Sequence, residues 1–453
     1  MAEFTVAEVC QATKGIVVGE VSNERFTGVS TDTRTIKPGA LFVALVGERF
    51  DGHNFIEQAV QKGATGLIVS QRDIQAPPKV NLFVVEDTLI AFQSLARFHR
   101  QRFTIPVVAV TGSNGKTTTK DMIAAVLSSR FNVLKTEANY NNEIGLPLTL
   151  LNLHGKHEVA VVEMGMRGSG EIHQLTTIAL PTVAVVTNVG ETHIELLGSL
   201  ENIAAAKAEL VEAIPAVGLV VLNGDNQYVR TMQSKTKARV VLYGCGQGNN
   251  IWAANIQAEG QGTKFDFCYL NKWFASFVPA LGQHNVYNAM AAITIGLELG
   301  LTVEEVNAGL STFATGAMRL KVENIGEYTV INDAYNASPL SMSAAIDTLG
   351  DVAKGRKIAV LGDMLELGHI AVEAHRRIGR KLAECGIKVV VTVGELAENI
   401  ADSAREYGVN TVVACQNHEQ AKVALQRLLL PGDTILIKGS RGLKMEKMVE
   451  MFL

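Results

Sequence analysis

The pattern of hydrophobic and polar positions predicts a chain that alternates between buried strands and helices. Between residues 107 and 314, short apolar runs recur with helix-forming stretches between them, an order typical of a parallel sheet with crossover helices. From Trp252 to Val278 the helices drop out, which predicts an antiparallel extension. The strands predicted before this extension are Val107–Val110, Val159–Val162, Val183–Thr187, Leu219–Leu222 and Val240–Tyr243.

Further α/β patterns flank this region. Residues 1 to about 84 predict a small unit with helices at Thr5–Ala12 and Asn54–Lys62 and strands at Ala40–Leu45, Gly66–Val69 and Leu82–Val85. Glu86–Phe103 reads as a connecting helix. From about residue 315 a second doubly wound pattern follows. Its strands are Lys357–Leu361, Val389–Val393, Thr411–Val413 and Thr434–Ile437, and its helices lie near 340–349, 371–385, 396–407, 417–430 and 441–452.

Composition narrows the class of protein. A hydrophobic content of 47% with 19% charged residues fits a soluble globular chain, and a net charge of −4 gives no support to nucleic-acid binding. Five cysteines without a C-x-x-C pair indicate reduced thiols and neither a disulfide framework nor a zinc site. No signal-peptide pattern and no apolar run of about 18 residues are present. We therefore expect a cytoplasmic protein without a membrane span.

The stretch Thr111-Gly-Ser-Asn-Gly-Lys-Thr-Thr118 predicts a phosphate-binding loop between a strand and a helix. Backbone N–H groups at a helix N-terminus attract anions, and Gly112 and Gly115 let the backbone approach phosphate oxygens. Lys116 can reach the β- and γ-phosphates, and the Thr117 hydroxyl can ligate Mg²⁺. The general spacing would place its first glycine at Val110, so this is a shorter variant.

Three residues after predicted strands are candidates for the chemistry, because ligands bind at the carboxyl ends of parallel strands. Glu163 could hold Mg²⁺ or could be a strand-end carboxylate in solvent. His193, in Asn188-Val-Gly-Glu-Thr-His193, could equally be a ligand or a structural residue. By its sequence alone, Lys207 reads as an ordinary solvated lysine on a helix.

Weaker nucleotide candidates follow along the chain. His284, Asn285 and Asn288 enter a predicted helix and could contact adenine. An arginine and an aspartate begin the last segment, and Arg319 could contact the γ-phosphate while Asp333 accepts from ribose hydroxyls. Spacing alone leaves these roles open.

Taken together, these residues resemble the Mur ligases, which are ATP-dependent amide ligases of peptidoglycan precursor synthesis. The resemblance runs in order over nearly the whole chain and is specific for the members that add D-alanyl-D-alanine to a UDP-N-acetylmuramoyl-tripeptide. One departure is Ser338, where these members more often have Asn. The stretches that carry the specific resemblance are Asn139–Pro147, Asp333–Pro339, Leu361–Gly368 and Lys438–Arg441.

The resemblance implies three α/β domains. They are an N-terminal UDP-substrate domain at 1–84, a central P-loop parallel-sheet ATPase domain at 85–314, and a Rossmann-like domain at 315–453 that binds the incoming dipeptide. It also implies ATP, two Mg²⁺ ions, and a Lys207 carbamoylated by CO₂. Lys116, Lys207 and His193 would be catalytic, and Thr117, Glu163, His193 and carbamoylated Lys207 would hold metal. The implied ATP contacts are Gly112, Ser113, Asn114, Gly115, Lys116, Thr117, Thr118, His284, Asn285, Asn288, Arg319 and Asp333.

The same resemblance suggests where the other two substrates bind. UDP candidates are Ser30, Thr31, Asp32, Arg34, Gly47 and Asp51. Dipeptide candidates are Tyr335, Asn336, Asp363, Glu366, Ser440 and Arg441. Three substrates on three domains would require domain closure, with hinges expected near 84–86 and 314–318. Nothing indicates an obligate interface, so we expect a monomer.

Two other classes of protein share parts of this pattern. A sibling ligase, either the one that adds the third residue or folylpolyglutamate synthase, is disfavoured by Asn139–Pro147 and Gly362–Gly368. A P-loop switch or motor would have a guanine-specifying N-K-x-D motif or an apolar strand ending in Asp. The chain has Thr187-Asn-Val-Gly190 instead of the first, and its candidate strand ends in Glu163.

Overall fold

The computed structural model describes residues 2–19, 21, 23–48, 50–75, 77–316 and 318–453. These residues divide into two compact units, and each is described by itself. Unit 1 contains the residues up to Ala109 with Phe131–Met166 and Glu171–Val183, and unit 2 contains Val110–Arg130, Arg167–Gly170 and Ala184–Leu453. Residue 317, within the second expected hinge, lies outside the described residues, and the predicted domain boundaries at 84 and 314 stay predictions.

The first hundred residues contain a sheet of five short strands in the order β2-β9-β8-β5-β4. Strand β2 runs antiparallel to β9 and the other pairs are parallel. The strands are β1 (Phe4–Thr5), β2 (Ile16–Val18), β3 (Arg25–Phe26), β4 (Val29–Ser30), β5 (Leu41–Val43), β6 (Val46–Gly47), β7 (Phe50–Asp51), β8 (Gly66–Val69) and β9 (Asn81–Val84). The helices are α1 (Val6–Thr13), α2 (Ile56–Gln61) and α3 (Thr88–Arg100), with a 3₁₀ helix at Gly52–Phe55.

Helix α3 ends in a buried arginine, Arg100, that joins several pieces of unit 1. Its guanidinium donates hydrogen bonds to four backbone carbonyls. The acceptors are the carbonyl oxygens of Ala179 at 3.0 Å, Phe103 at 2.5 Å, Ile105 at 3.2 Å and Leu180 at 3.4 Å. The charge is therefore compensated by peptide dipoles, which are strong acceptors for a charged donor.

The next segment carries the phosphate loop. It contains β10 (Val107–Thr111), α4 (Lys116–Leu127), β11 (Val133–Lys135), α5 (Gly145–Leu150), β12 (Val159–Glu163), α6 (Glu171–Ala179) and β13 (Val183–Val186). In unit 1 the strand order is β11-β12-β10, with the first three residues of β10, and β11 and β12 are parallel. The last two residues of β10 lie in unit 2.

In unit 2 the strand order is β13-β14-β15-β16-β17-β18. Strands β16, β17 and β18 pair antiparallel, so the predicted antiparallel extension is confirmed. The elements are α7 (Ile194–Leu197), α8 (Leu200–Glu212), β14 (Leu219–Asn223), α9 (Gln227–Thr231), a 3₁₀ helix at Met232–Lys235, β15 (Arg239–Gly244), β16 (Ile251–Glu259), β17 (Gly262–Tyr269), β18 (Lys272–Val278), α10 (Gln283–Glu298) and α11 (Val303–Ser311).

The last segment of unit 2 forms its own sheet in the order β19-β20-β24-β21-β22-β23. Only β19 among these described strands is antiparallel, which gives the predicted doubly wound arrangement with an extra edge strand. The elements are β19 (Lys321–Ile325), β20 (Tyr328–Asp333), α12 (Pro339–Val352), β21 (Lys357–Gly362), α13 (Ala371–Glu384), β22 (Val389–Val393), α14 (Glu398–Glu406), β23 (Thr411–Cys415), α15 (His418–Leu428), β24 (Thr434–Lys438) and α16 (Glu446–Val449), with 3₁₀ helices at Gly368–Ile370, Arg441–Leu443 and Glu450–Phe452.

One predicted helix is wrong. The segment 441–452 is not continuous, because α16 covers only four residues between two short 3₁₀ pieces. Lys444 has a left-handed backbone with φ 54°, which interrupts a right-handed helix. Within the described part of the chain, no helix is both long and apolar enough to span a membrane.

Candidate active site

The phosphate loop turns sharply between β10 and α4. Gly112 and Gly115 have φ values of 150° and 78°, where side chains are disfavoured. A Cβ at Gly112 would collide with the Thr187 hydroxyl, and one at Gly115 would lie 2.6 Å from Asn288 Oδ1. Both glycines are thus required by the backbone conformation and by close neighbours.

The end of β13 holds the loop in place. Asn188 accepts from the Ser113 N–H through its backbone oxygen at 2.8 Å and from the Asn114 N–H through Oδ1 at 2.9 Å. Thr187 Oγ1 donates to the Asn114 carbonyl at 2.6 Å. These two loop N–H groups are therefore engaged with protein. The anion site is left to the first turn of α4, whose N–H groups have no intrahelical acceptor.

Lys116 begins α4 and bends back over the loop. Its Nζ donates to the carbonyl oxygens of Gly112 at 2.9 Å and Ser113 at 3.3 Å. Its ammonium is thereby held on the loop from which we expect it to reach phosphate oxygens.

Helix α10 braces the next turn of α4. Thr119 Oγ1 donates to Asn288 Oδ1 at 3.0 Å, and Asn288 Nδ2 donates to Asn285 Oδ1 at 3.0 Å. Asn285 in turn donates to the Leu281 carbonyl at 2.8 Å. Two of the three predicted adenine contacts, Asn285 and Asn288, thus have protein partners. Burial lowers the pKa of neighbouring His284 to about 4, and Lys438 adds to this effect.

Two residues from the start of the last segment bond the phosphate loop directly. Arg319 Nη2 donates to Thr117 Oγ1 at 3.2 Å, and its guanidinium lies 4.0 Å from the centre of the Tyr335 ring. Ser338 Oγ donates to Asn114 Oδ1 at 2.8 Å, and its hydroxyl also caps α12. Ser338, the residue that departs from the resembling ligases, thus contacts the phosphate loop through its side chain.

The predicted ribose ligand Asp333 is buried against a lysine that sequence reasoning did not assign. Lys438 Nζ lies 2.5 Å from Asp333 Oδ2 and also donates to the Asn336 carbonyl at 2.9 Å. Asp333 Oδ1 accepts from the Leu320 N–H at 3.1 Å. Burial raises the pKa of Asp333, although Lys438 opposes the shift. Lys438 therefore positions this carboxylate and compensates its charge.

Lys207 is not a solvated lysine. It is only 2% exposed on α8. Burial lowers its pKa well below the usual range of a lysine, and the positive charge of Lys116 adds to the shift. Both effects favour the neutral amine. The interpretation of Lys207 as an ordinary solvated lysine is therefore wrong.

His193 precedes α7 and has a left-handed backbone with φ 57°. Its Nδ1 lies 2.5 Å from Glu366 Oε2. Burial lowers its pKa, Glu366 opposes the shift, and Lys116 and Lys207 add to it. The structure thus brings three predicted catalytic residues, Lys116, His193 and Lys207, within electrostatic reach of one another.

Glu163 ends β12 in unit 1 and is 1% exposed, so the interpretation as a solvated carboxylate is wrong. Its Oε1 accepts from Asn141 Nδ2 at 2.7 Å, and its N–H donates to Thr136 Oγ1 at 3.1 Å. Its Oε2 is buried and has no hydrogen-bond partner. A buried, unpaired carboxylate oxygen suits a hard divalent cation. Among the described residues, no group of three or more His, Cys, Asp and Glu side chains is arranged to hold a metal.

The UDP candidates lie in unit 1 and bond one another locally. Arg34 pairs with Asp32 at 2.7 Å, and its side chain is 86% exposed. Ser30 Oγ accepts from the Asp32 N–H at 3.3 Å. Asp51 accepts from the His53 N–H at 2.9 Å, and Gly47 pairs with Phe50 across a short hairpin. For Thr31 the structure adds only that it follows β4.

The dipeptide candidates surround the ends of β20, β21 and β24. Asp363 accepts from the Ala397 N–H at 2.7 Å, and burial raises its pKa. Ser440 Oγ accepts from the Leu365 N–H at 2.9 Å. The Arg441 N–H donates to Asn336 Oδ1 at 3.2 Å. Most of these polar atoms already fix loops to one another, and Tyr335 lies beneath Arg319.

Sequence reasoning missed several residues that shape the site. Lys438, Asn141 and Asn188 each stand in a stretch that was quoted, but no local pattern marks them as partners of Asp333, Glu163 and the phosphate loop. The available signal was positional, since Lys438 ends a strand and Asn188 follows one.

Comparison with known proteins gives the class. Sequence models match the chain at 25–100 (Mur ligase family, catalytic domain), 110–296 (Mur ligase middle domain) and 318–441 (Mur ligase, glutamate ligase domain). The chain belongs to the Mur ligase family, and its α/β fold of three domains is that of the family.

Individual relatives indicate which member of the family the chain is similar to. The chain is 40% identical to the UDP-N-acetylmuramoyl-tripeptide–D-alanyl-D-alanine ligase of Bacillus subtilis strain 168, over 99% of this chain and 98% of that protein. A crystal structure of MurF from Acinetobacter baumannii superposes with a TM-score of 0.91 at 32% identity, covering 100% and 99% of the two chains. The MurF ligase of Thermotoga maritima in complex with ADP gives 0.85 at 29% identity, covering 96% and 98%.

Proposed function

We propose that the chain is an ATP-dependent amide ligase that joins D-alanyl-D-alanine to a UDP-N-acetylmuramoyl-tripeptide, giving the pentapeptide precursor of peptidoglycan with ADP and phosphate. The observation that carries the proposal is the full-length 40% identity to a ligase with this activity. Buried Lys207, with Lys116 and His193 near the phosphate loop, gives the proposal a physical basis. These residues would suit a sibling ligase as well, so the identity is what favours this member of the family.

The proposed reaction has two steps. The terminal carboxylate of the tripeptide attacks the γ-phosphorus of ATP, forming an acyl phosphate and releasing ADP. The dipeptide amine then attacks the acyl carbon through a tetrahedral intermediate, loses a proton, and phosphate leaves. Such phosphoryl transfer needs positioning and charge neutralisation, and here Lys116, Arg319 and the first turn of α4 supply them.

Two Mg²⁺ ions, when bound, would neutralise phosphate charge and polarise the transferred group. Thr117 and Glu163 each offer an oxygen, and His193 offers a ring nitrogen. Lys207 would add CO₂ to its neutral amine, giving a carbamate and a proton. Burial and the neighbouring Lys116 support this step, because both disfavour an ammonium at Lys207. The positive charge of Lys116 would also attract the carbamate anion.

We keep the remaining site residues as parts of this proposal. The UDP moiety is assigned to the loops around Ser30–Arg34 and Gly47–Asp51, and the dipeptide to the loops around Tyr335, Asp363 and Ser440. All five cysteines are described and free, which suits the cytoplasm as the proposed compartment. We propose that the protein acts as a monomer.

The proposal is tested by measuring phosphate release from ATP and Mg²⁺ while each substrate is omitted in turn. We expect release to require both the UDP-N-acetylmuramoyl-tripeptide and D-alanyl-D-alanine. ATP turnover that is independent of both would favour a switch or motor and would overturn the ligase assignment.

The carbamate is tested separately with Lys207→Ala. We expect the variant to lose most activity and millimolar acetate or formate to restore part of it, by replacing the missing anion. Lys235→Ala is the matched control, because Lys235 is an exposed lysine paired with Glu212. Full activity of Lys207→Ala without any additive would exclude a carbamate at this position.

A further inference from the structure

Two segments of unit 2 are in close contact beside the phosphate loop. The residues Glu191–Glu195 follow β13, and the residues Glu366–Arg377 follow β21. The Glu195 N–H donates to the Glu366 carbonyl at 3.3 Å, and Arg377 Nη2 lies 2.6 Å from Glu191 Oε2. Gly368 has φ 50°, and a Cβ there would lie 3.1 Å from the Glu195 Cα. The approach of the two backbones is therefore close.

Within this contact, His193 and Glu366 face each other from unusual backbones. Their φ values are 57° and 62°, in the left-handed region that non-glycine residues seldom occupy. Such conformations persist where the surrounding structure imposes them, and they concentrate at functional sites. The imidazole Nδ1 lies 2.5 Å from Glu366 Oε2, a close approach that is not a well-aligned hydrogen bond.

The charged groups around the His193 imidazole indicate which of its two nitrogens could bind a metal. Lys116 is the cation that acts electrostatically on His193, and Glu366 is the anion. Glu366 thus occupies one nitrogen of the imidazole, and the other nitrogen remains for a ligand. An imidazole that binds a metal through one nitrogen usually donates its other N–H to a carboxylate, which fixes its tautomer and orientation.

We propose that Glu366 is a positioning residue that accepts the Nδ1 proton of His193 and so prepares Nε2 for metal, and that it is not a dipeptide contact. This inference rests on the proposed function, in which His193 is a metal ligand. His193 comes from the middle-domain segment and Glu366 from the glutamate-ligase segment. Docking of the loop at Leu361–Gly368 would therefore complete the histidine ligand.

The test compares Glu366→Ala, Glu366→Gln and the control Arg377→Gln in the full-length protein. Arg377→Gln breaks the neighbouring ion pair between the same two segments but leaves His193 and Glu366 in place. Binding of Mn²⁺ in the presence of ADP is followed by electron paramagnetic resonance, and the tautomer of His193 by ¹⁵N NMR of the ring. KM for D-alanyl-D-alanine and kcat are measured in parallel.

We expect Glu366→Ala to weaken Mn²⁺ binding about tenfold and to lower kcat, with KM for the dipeptide unchanged. The His193 ring should shift from the Nδ1–H form toward a mixture of tautomers. Glu366→Gln should retain most Mn²⁺ binding, because its amide oxygen still accepts a hydrogen bond, and Arg377→Gln should match the parent protein.

Other outcomes would overturn the proposal. A raised KM for the dipeptide with unchanged Mn²⁺ binding in Glu366→Ala would make Glu366 a dipeptide contact. Equal effects of Arg377→Gln and Glu366→Ala would show that the contact between His193 and Glu366 only holds the two segments together. His193→Ala separates the two levels of inference. If it weakens Mn²⁺ binding and Glu366→Ala does not, only the role of Glu366 fails. If it leaves Mn²⁺ binding intact, the metal role of His193 fails as well.

Discussion

The phosphate loop and the N-terminal loops that we assign to UDP are held by hydrogen bonds of very different reach along the chain. Thr119 and Asn288 are 169 residues apart, Thr117 and Arg319 are 202 apart, and Asn114 and Ser338 are 224 apart. In the N-terminal loops the UDP candidates bond mainly close neighbours, although Thr33 between them bonds Gln58, which is 25 residues away. Asp32 bonds Arg34, and Asp51 bonds His53, each two residues away.

This difference teaches how each region meets its ligand. Long-range bonds exist only in the folded chain, so the phosphate loop is shaped before a nucleotide arrives, and little further ordering is needed on binding. Local pairs form from the chain itself and can exchange a protein partner for a ligand at small cost. We therefore expect substitutions at long-range partners to lower stability, and substitutions at local pairs to affect mainly binding.

The largest effect is expected for Lys438→Met, whose native partner Asp333 is 105 residues away. The change leaves a buried carboxylate without its cation, which should cost about 3–5 kcal/mol of unfolding free energy. Urea denaturation at neutral pH measures this loss. The double variant Asp333→Asn/Lys438→Met removes both charges and should be more stable than the single one. If the unfolding free energy of Lys438→Met fell by less than about 1 kcal/mol, which is the loss expected for an exposed ion pair, the prediction would be contradicted.

A pH-dependent loss of stability is expected from His99 in unit 1. Its Nε2–H donates to the Leu153 carbonyl at 2.9 Å, while Nδ1 lies 3.3 Å from the donor Arg102. Burial lowers the pKa of His99 to about 4 from an ordinary value of 6.5. The unfolded chain therefore binds the extra proton more readily. The contribution is complete above pH 6.5 and is lost as the pH falls toward 4.

At about 1.4 kcal/mol per pKa unit, the His99 contribution amounts to about 3 kcal/mol. Denaturation curves between pH 7 and pH 4 should show this decline in the parent protein and a flatter profile in His99→Gln. Identical pH profiles of the two proteins would show that His99 titrates normally in the folded state.

A moderate loss is expected for Thr119→Val, which removes the buried hydroxyl donated to Asn288. Its unfolding free energy should fall by about 1–2 kcal/mol, because the Asn288 oxygen loses its donor. KM for ATP should rise, since the turn behind the phosphate loop loosens. Thr231→Val is the matched control, because its exposed hydroxyl bonds only the Tyr228 carbonyl three residues away. Equal losses in the two variants would remove the distinction between long-range and local bonds.

The smallest effect on stability is expected for Arg34→Ala. Arg34 is exposed and pairs locally with Asp32, so the loss of unfolding free energy should be too small to resolve in a urea denaturation curve. KM for the UDP substrate should nevertheless rise if these loops bind UDP. Arg405→Ala breaks a comparable exposed pair with Asp402 and should change neither quantity. An unchanged KM in Arg34→Ala would remove Arg34 from the UDP site.

The same contrast explains what could be predicted from the sequence. The buried strands Val389–Val393 and Gly66–Val69 match their predicted bounds, because continuous apolar runs mark strands covered on both faces. Strand β19 was missed, since Lys321-Val-Glu-Asn-Ile325 is a polar edge strand whose partner is fixed by tertiary structure. The helix at 441–452 was overpredicted for a related reason, because its apolar residues reach the core from short separate pieces.

The candidate site divides in the same way. The glycines, Lys116 and Thr117 form a local motif that the sequence displays in full. The burial of Lys207 arises only in the folded chain, so its sequence neighbours gave the wrong interpretation and only the family resemblance pointed to it. The partners Asn141 and Lys438 carried no local signal, because their roles arise from strand ends brought together by folding.

Arg100 bears on how freely this chain can drift in sequence. Its acceptors are main-chain carbonyls at residues 103, 105, 179 and 180, and every amino acid supplies the same carbonyl. Only the arginine side chain is therefore needed for these hydrogen bonds. The residues that supply the acceptors can be substituted as long as their backbone conformation is kept. Homologous chains should vary at those four positions while the arginine stays fixed.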